Sequence, residues 1–561
     1  MFLPTTREEM DKLQWKYLDV ILVSGDTYID SPYIGISIIG QVLLKAGYKV
    51  GIIAQPAIDI PEDIQRLGEP RLFWGITAGS VDSMIANYTA TGKKRNKDDY
   101  TPGGSNDCRP DRATIVYCNL IKRYYKNTRP IVLGGIEASL RRIAHYDYWD
   151  NRIRRSILFD SKADILIYGM AEKSILQLAD KLSRKEDYRK IKGICYISNL
   201  PEKDSIILPS FSEVKDDKQK FIEMFHQFYK NQHPYKGKIL SQKHGDRYLI
   251  QNPPALPLTE KDLDKIYELD YQRDVHPFYK KMGHVRALDT IKFSVTSHRG
   301  CFGECNFCAI TVHQGKIVQS RSESSILREV KKLTKEKDFK GYILDIGGPT
   351  ANMYGMGCNR QGIRGHCISR RCLFPAVCPN LNISHESQLS LLRKISKIEG
   401  VKKVFVASGI RFDLVMTDKK SGKTYLKNII QHNTSGQLKV APEHICNDIL
   451  ILMGKENGYS IGNFKKIFDS INQRMYKKQY LTYYFIAAHP GCSDREMIIL
   501  KRYIQKELHI RPEQVQIFIP APSTYSGVMY YTKIDPFSGK TIFVEKRTKK
   551  KEKQKKLIIN S

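Results

Sequence analysis

Arg299-Gly300-Cys301-Phe302-Gly303-Glu304-Cys305-Asn306-Phe307-Cys308 sets three cysteines in the spacing C-x3-C-x2-C. Three thiolates on one tight loop can each take one iron of a cubane iron–sulfur cluster, leaving the fourth iron open to a small molecule. A closed zinc site needs a fourth ligand at similar spacing. None stands nearby, since His298 and His313 flank the run without matching it. The loop therefore reads as a redox cluster with one open coordination position.

Outward from the loop, residues 291–297, 341–346, 403–407, 437–440, 481–487 and 515–519 are short apolar strand candidates. Amphipathic helices separate them. One carries Ile326, Leu327, Val330 and Leu333 on a single stripe, and another opens with the capping box Ser493-Asp494-Arg495-Glu496. Six such βα units predict a partial, TIM-like (β/α)6 barrel, with working residues at the C-terminal strand ends. The unusual words of the chain fall there: the cysteine loop, then Asp345-Ile346-Gly347-Gly348-Pro349-Thr350, Ser408-Gly409-Ile410-Arg411, Val440-Ala441-Pro442-Glu443-His444, His489-Pro490-Gly491 and Pro520-Ala521-Pro522.

The cysteine loop resembles that of the radical S-adenosylmethionine (AdoMet) enzymes, in which the amino and carboxylate groups of AdoMet chelate the open iron. Phe307 matches the aromatic expected before the last cysteine. The resemblance implies that Gly347 and Gly348 bring main chain to the methionine amino group, while Pro349 replaces the acid that commonly follows. Ser408, Arg411 and Glu443 are candidates for the ribose, carboxylate and amino groups, Arg411 by fork geometry. Further words extend the likeness: Gln251-Asn252-Pro253-Pro254, His313-Gln314-Gly315, Gly347 to Tyr354, Leu438 to His444 and Gln514-Val515-Gln516. Together they resemble the YgiQ-type radical AdoMet family over nearly the whole chain. That family implies a 4Fe–4S cluster, AdoMet and an electron donor of flavodoxin or ferredoxin type, and it brings no established substrate.

Ahead of the barrel, residues 17–23, 50–54, 72–76, 131–133 and 165–167 are buried-strand runs alternating with helical stretches, such as 34–46 stopped by Gly47. They predict an α/β doubly wound parallel sheet. It resembles the cobalamin-binding domain that precedes many radical AdoMet cores, through Asp30, Gly35 and Gly134-Gly135. Pro32 occupies the position where a cobalt-ligating histidine would stand, so cobalamin is not expected. The expected organisation is 1–195 as this domain, 196–285 as a connector, 286–530 as the radical AdoMet core and 531–561 as a basic tail. His276, in the connector, reads as structural.

Cys358, Cys367, Cys372 and Cys378 follow the second barrel strand with spacing C-x8-C-x4-C-x5-C in a glycine-rich stretch. They are candidates for a second iron–sulfur cluster or a tetrahedral zinc, with His366 as a substitute ligand. Four reduced cysteines filling a loop is the plainer alternative.

The chain has 561 residues, twelve cysteines and a formal charge of +32. No run of 18 or more apolar residues occurs and the start lacks a secretory apolar region, so a cytoplasmic enzyme without membrane association is expected. The charge suggests RNA as a partner. A general Lys/Ile bias explains it as well, and the densest run, Lys546 to Lys556, reads as a solvated or disordered tail. The leading function is a radical AdoMet enzyme cleaving AdoMet to a 5′-deoxyadenosyl radical. The alternatives are a cobalamin-assisted radical methyltransferase and a non-catalytic metal-containing nucleic-acid-binding protein.

Overall fold

The structure, a computed structural model, describes every residue except 362–364, 366, 369, 456–459 and 560–561. The chain forms two compact units, one of Met1–Pro257 with Glu268–Lys292 and the other of Leu258–Tyr267 with Phe293–Ser561.

The first unit is built on a sheet that counts nine strands among the described residues. Five are parallel: β1 (Val20–Ser24), β2 (Val50–Ala54), β3 (Phe73–Thr77), β4 (Ile131–Leu133) and β5 (Ile165–Ile167), in the order β2-β1-β3-β4-β5. Every residue of β1 and β2 is buried, as continuous apolar runs covered on both faces require. The helix Gly35–Lys45 follows β1 and ends at Gly47, whose φ of +95° suits glycine.

The expected connector is different in kind. β6 (Ile194–Ser198) pairs antiparallel with β5, and β7 (Ile206–Leu208), β8 (Leu240–His244) and β9 (Arg247–Gln251) carry the same sheet onward as β5-β6-β9-β8-β7. Residues read as a link thus supply the far edge of the first sheet. The signal was weak because Leu240-Ser241-Gln242-Lys243-His244 is largely polar, although four of its five residues are buried.

In the second unit the strands that follow the βα rhythm pair in parallel. β10 (Ser294–Thr296) pairs with β12 (Asp345–Gly347), while β11 (Tyr342–Ile343) pairs with β13 (Lys403–Val404). One stretch of chain thus pairs with a neighbour on either side. β14 (Gln437–Glu443), β15 (Tyr480–Ala487) and β16 (Gln514–Ile517) continue in order, and Ile410 bridges to Val440. The helix Glu323–Leu333 buries Ile326, Val330 and Leu333 on this sheet's core, and the capping box at Ser493 and Glu496 is formed.

The basic tail is not disordered. Thr548–Ile559 is a helix that packs against the helix Asp494–Tyr503 and β16. Lys551, Gln554 and Ile558 fall at helical spacing and are all buried. Gln554 accepts from Ala488 N at 3.0 Å and donates to Cys492 O at 3.3 Å, and Lys551 Nζ donates to Tyr530 Oη at 2.6 Å. Lysine-rich composition hid this stripe.

Candidate functional site

Backbone hydrogen bonds fold the cysteine loop. Cys301 N donates to Gly315 O at 3.2 Å, Gly300 N to Gln314 Oε1 at 3.1 Å and Cys308 N to Cys305 O at 3.0 Å. Gly300 has φ +79°, and a Cβ there would stand 2.1 Å from Ile317 O, so a side chain is excluded. Phe302 is fully buried. Glu304 and Lys316 make a buried ion pair at 2.7 Å, and Asn306 is tied by its backbone N to Met453 O at 2.8 Å and by Nδ2 to Leu452 O at 2.9 Å. The loop is thus pinned on both sides of Cys305.

The three thiols are free of disulfides. Burial pushes the Cys308 thiol up to about 12, with Cys305 and Cys301 adding to it, and burial together with Cys305 also raises Cys301. The raised Cys301 and Cys308 thiols need a cationic centre beside them to ionise together, which iron supplies. Among the described residues no three His, Cys, Asp or Glu side chains converge as around a single metal ion. A cubane takes each thiolate at a different iron, so three thiols on one loop suit a cluster that keeps one iron open.

Arg411 lies against this loop. Its Nη1 donates to Cys305 Sγ at 3.7 Å, while its Nε donates to both oxygens of Asp413 at 3.0 Å. Burial alone would lower its pKa, but Asp413 and the two cysteines more than offset that and hold the guanidinium charged. The fork expected to meet a ligand carboxylate is taken up instead by Asp413 and sulfur. Asn352 fixes the Arg411 backbone from both sides: Oδ1 accepts from Arg411 N at 2.8 Å and Nδ2 donates to Arg411 O at 3.0 Å. His385 lies 3.1 Å from Asn352 Nδ2 and 2.8 Å from Asp418.

Ser408 donates its hydroxyl to Asp345, whose carboxylate also accepts from Ala407 N at 2.8 Å and Ser408 N at 3.2 Å. Burial raises the Asp345 carboxyl against these hydrogen bonds. The two glycines stand where side chains would collide. A Cβ on Gly347 would lie 2.7 Å from Asp345 Oδ2, and one on Gly348 2.6 Å from the His298 ring. His298 bridges Ser297 Oγ at 2.9 Å and Thr350 O at 3.0 Å, and Thr350 Oγ1 reaches Cys301 Sγ at 3.6 Å.

Glu443 ends β14 with φ +66°, a conformation that costs a non-glycine residue energy. Its carboxyl is raised by burial, opposed by Lys455 and Arg411, and lies 3.8 Å from Lys455 Nζ. Phe307 presents an edge-on contact to His489 at 6.3 Å, and His489 is held by Ser526 Oγ at 2.8 Å. Cys301, Cys305, Arg411 and Glu443 are therefore linked electrostatically, and Gly347, Gly348 and Ser408 join the group through Asp345, His298 and Thr350. Sequence reasoning missed Asp345, Asn352, Asp413 and Lys455. Asn352 and Asp413 lie within a few residues of words that were read, and nothing in the pattern around Lys455 marked it.

Cys358, Cys372 and Cys378 pack beside Cys301 in a small apolar cluster with Phe302, Met353 and Leu373. Cys367 is exposed, and His366 lies outside the described residues.

The pinned three-thiol loop thus follows the first strand of a parallel βα array, and the comparisons show the family. Residues 2–294 match the family described as Radical SAM N-terminal. The chain is 57% identical over 558 residues to a UPF0313 protein of Fusobacterium nucleatum, covering 99% of this chain and 98% of that one. It is 50% identical over 562 residues to a UPF0313 protein of Thermotoga neapolitana, covering 100% and 98%. Among solved structures, the radical S-adenosylmethionine methyltransferase TsrM of Kitasatospora setae, with cobalamin and a [4Fe-4S] cluster bound, superposes with a TM-score of 0.52 at 14% identity, covering 91% of this chain and 77% of that chain. The chain belongs to the radical SAM N-terminal family, among the UPF0313 proteins.

TsrM holds cobalamin in that structure. In doubly wound sheets ligands bind where strand order reverses, here between the ends of β1 and β3. Arg109 fills that point, paired with Asp26 at 2.5 Å and Asp98 at 2.9 Å, all buried. A Cβ on Gly79 would meet Asp26 Oδ1 at 2.1 Å, and one on Gly135 would meet Thr77 Oγ1 at 2.3 Å. Asp30 accepts from Ser37 Oγ at 2.6 Å and Gln272 N at 2.8 Å. His276 is structural: buried, stacked on Tyr28 and 3.3 Å from Glu9.

Proposed function

We propose that this protein is a radical AdoMet enzyme. The observation that carries this reading is the loop of three free, half-buried thiols with Arg411 donating to one of them. When bound, a 4Fe–4S cluster supplies one electron to the AdoMet sulfonium, which breaks the S–C5′ bond and yields a 5′-deoxyadenosyl radical. Cys301, Cys305 and Cys308 anchor the cluster. Gly347 and Gly348 let main chain pass close to Asp345 and His298, Ser408 is oriented by Asp345, and Glu443 with Lys455 forms the polar wall toward β14. Phe307 and His489 exclude water on the side of β15.

The test is anaerobic reconstitution with iron and sulfide, then incubation with AdoMet and dithionite. Formation of 5′-deoxyadenosine and methionine supports the reading. A protein carrying a full cluster that forms neither would overturn it.

A further inference from the structure

We propose that His385 is a positioning residue for the cluster: held by Asp418, it fixes the Asn352 amide and, through it, the Arg411 guanidinium against Cys305. This role rests on the radical AdoMet reading of the cysteine loop and bears on the redox state of that cluster. His385 Nδ1 lies 2.8 Å from Asp418 Oδ2, which also accepts from His385 N at 3.0 Å. Ser421 holds the same carboxylate, its N donating to Oδ1 at 2.8 Å and its hydroxyl to Oδ2. Tyr425 packs on the imidazole at 4.3 Å between ring centroids, and both rings are fully buried.

The tautomer of His385 decides the rest. Burial lowers its pKa against the pull of Asp418, so the ring is neutral. The carboxylate beside Nδ1 keeps the ring proton there, leaving Nε2 as a lone-pair acceptor. Asn352, fully buried, stands 3.1 Å from Nε2 and must therefore present its nitrogen. With that orientation Nδ2 also donates to Arg411 O at 3.0 Å, and Oδ1 accepts from Arg411 N at 2.8 Å. A flipped amide would set oxygen against Nε2 and Arg411 O, and its NH2 group against the Arg411 N–H. Three contacts would turn repulsive together. The ring thus selects the one amide orientation that matches the Arg411 backbone.

The series of contacts ends on a cluster thiol. From its pinned backbone, Arg411 gives Nε to Asp413 and Nη1 to Cys305 Sγ, 3.7 Å away. Buried polar groups cost desolvation, and apolar side chains of similar volume would hold a loop as well. Here Asp418, His385 and Asn352 converge instead on the amide and carbonyl of one residue, whose guanidinium meets the thiol. Such outer-shell partners orient the groups around a metal centre and tune it. Asp418 and Asn352 each lie 33 residues from His385, so no local pattern marks the ring.

The test is an EPR-monitored redox titration of the anaerobically reconstituted full-length chain, with 5′-deoxyadenosine formation measured beside it. His385→Phe keeps an aromatic ring against Tyr425 and removes the acceptor. H385F should hold as much iron as wild type, titrate at a lower midpoint, and cleave AdoMet about 10-fold more slowly. H385Q, whose Oε1 can accept from Asn352, should recover part of both. The double variant R411Q/H385F should sit at the R411Q midpoint, because His385 acts through Arg411. A wild-type midpoint in H385F, or a shift that adds in full to that of R411Q, would overturn the role and leave the radical AdoMet reading intact. A wild-type chain that assembles no cluster would overturn both. H385L, which also lacks the acceptor, decides the matter where H385F fails to fold.

Discussion

The Arg411 guanidinium donates to Cys305 Sγ at 3.7 Å while Asp413 holds it from the other side. A charge-assisted donor on a cluster thiolate stabilises the more negative, reduced state. Replacing Arg411 by Gln keeps a donor and removes the charge. The expected outcome is a cluster that still assembles, with a reduction potential lower by on the order of tens of millivolts. An EPR-monitored redox titration reads this, and an unchanged potential would refute the role.

On the proposed reading each of Cys301, Cys305 and Cys308 is one of three anchors, so alanine at any of them should abolish AdoMet cleavage. The measurement is 5′-deoxyadenosine after reconstitution, and undiminished turnover by any single variant would remove that residue from the ligand set.

The terminal helix carries stability as well as charge. Ile558 is fully buried in the core of the second unit, so Ile558→Ala should cost about 2–5 kcal/mol. Truncation before Thr548 should lower the unfolding midpoint and AdoMet cleavage together, because β15, β16 and the helix Asp494–Tyr503 lose a packed neighbour. A truncated protein with native stability would contradict the helix's packing.

Burial lowers His145 to about 4, His244 to about 3 and His489 to about 3. The unfolded chain protonates these imidazoles near pH 6.5, so it takes up protons before the native state does. Stability should be full above about pH 7 and fall below about pH 6.5, by up to about 1.4 kcal/mol per pH unit for each histidine. The loss from these groups ends once pH is below their folded values. Urea midpoints at about pH 7.5 and 5.5 test this, and equal midpoints would rule it out.

Local sequence determined what depends on short spacing. Cys301, Cys305 and Cys308 lie within eight residues, so their closeness follows from chain geometry, although Asn306 anchors the loop to the distant Leu452 and Met453. The strands β1 and β2 were legible because burial on both faces demands unbroken apolar runs. The capping box at Ser493 is likewise a local hydrogen-bonding pattern.

Only the tertiary structure decided which partners meet across long stretches of chain. It turned Arg411 toward Cys305, 106 residues earlier, and set Asn352 against the Arg411 backbone, 59 residues away. It added the polar strands β8 and β9 to the first sheet, and it buried one stripe of a lysine-rich helix. The physical reason is common to all four. Hydrogen-bonding and charged side chains carry no directional preference along the sequence. Their partners are chosen when packing excludes water and an unpaired polar group becomes costly.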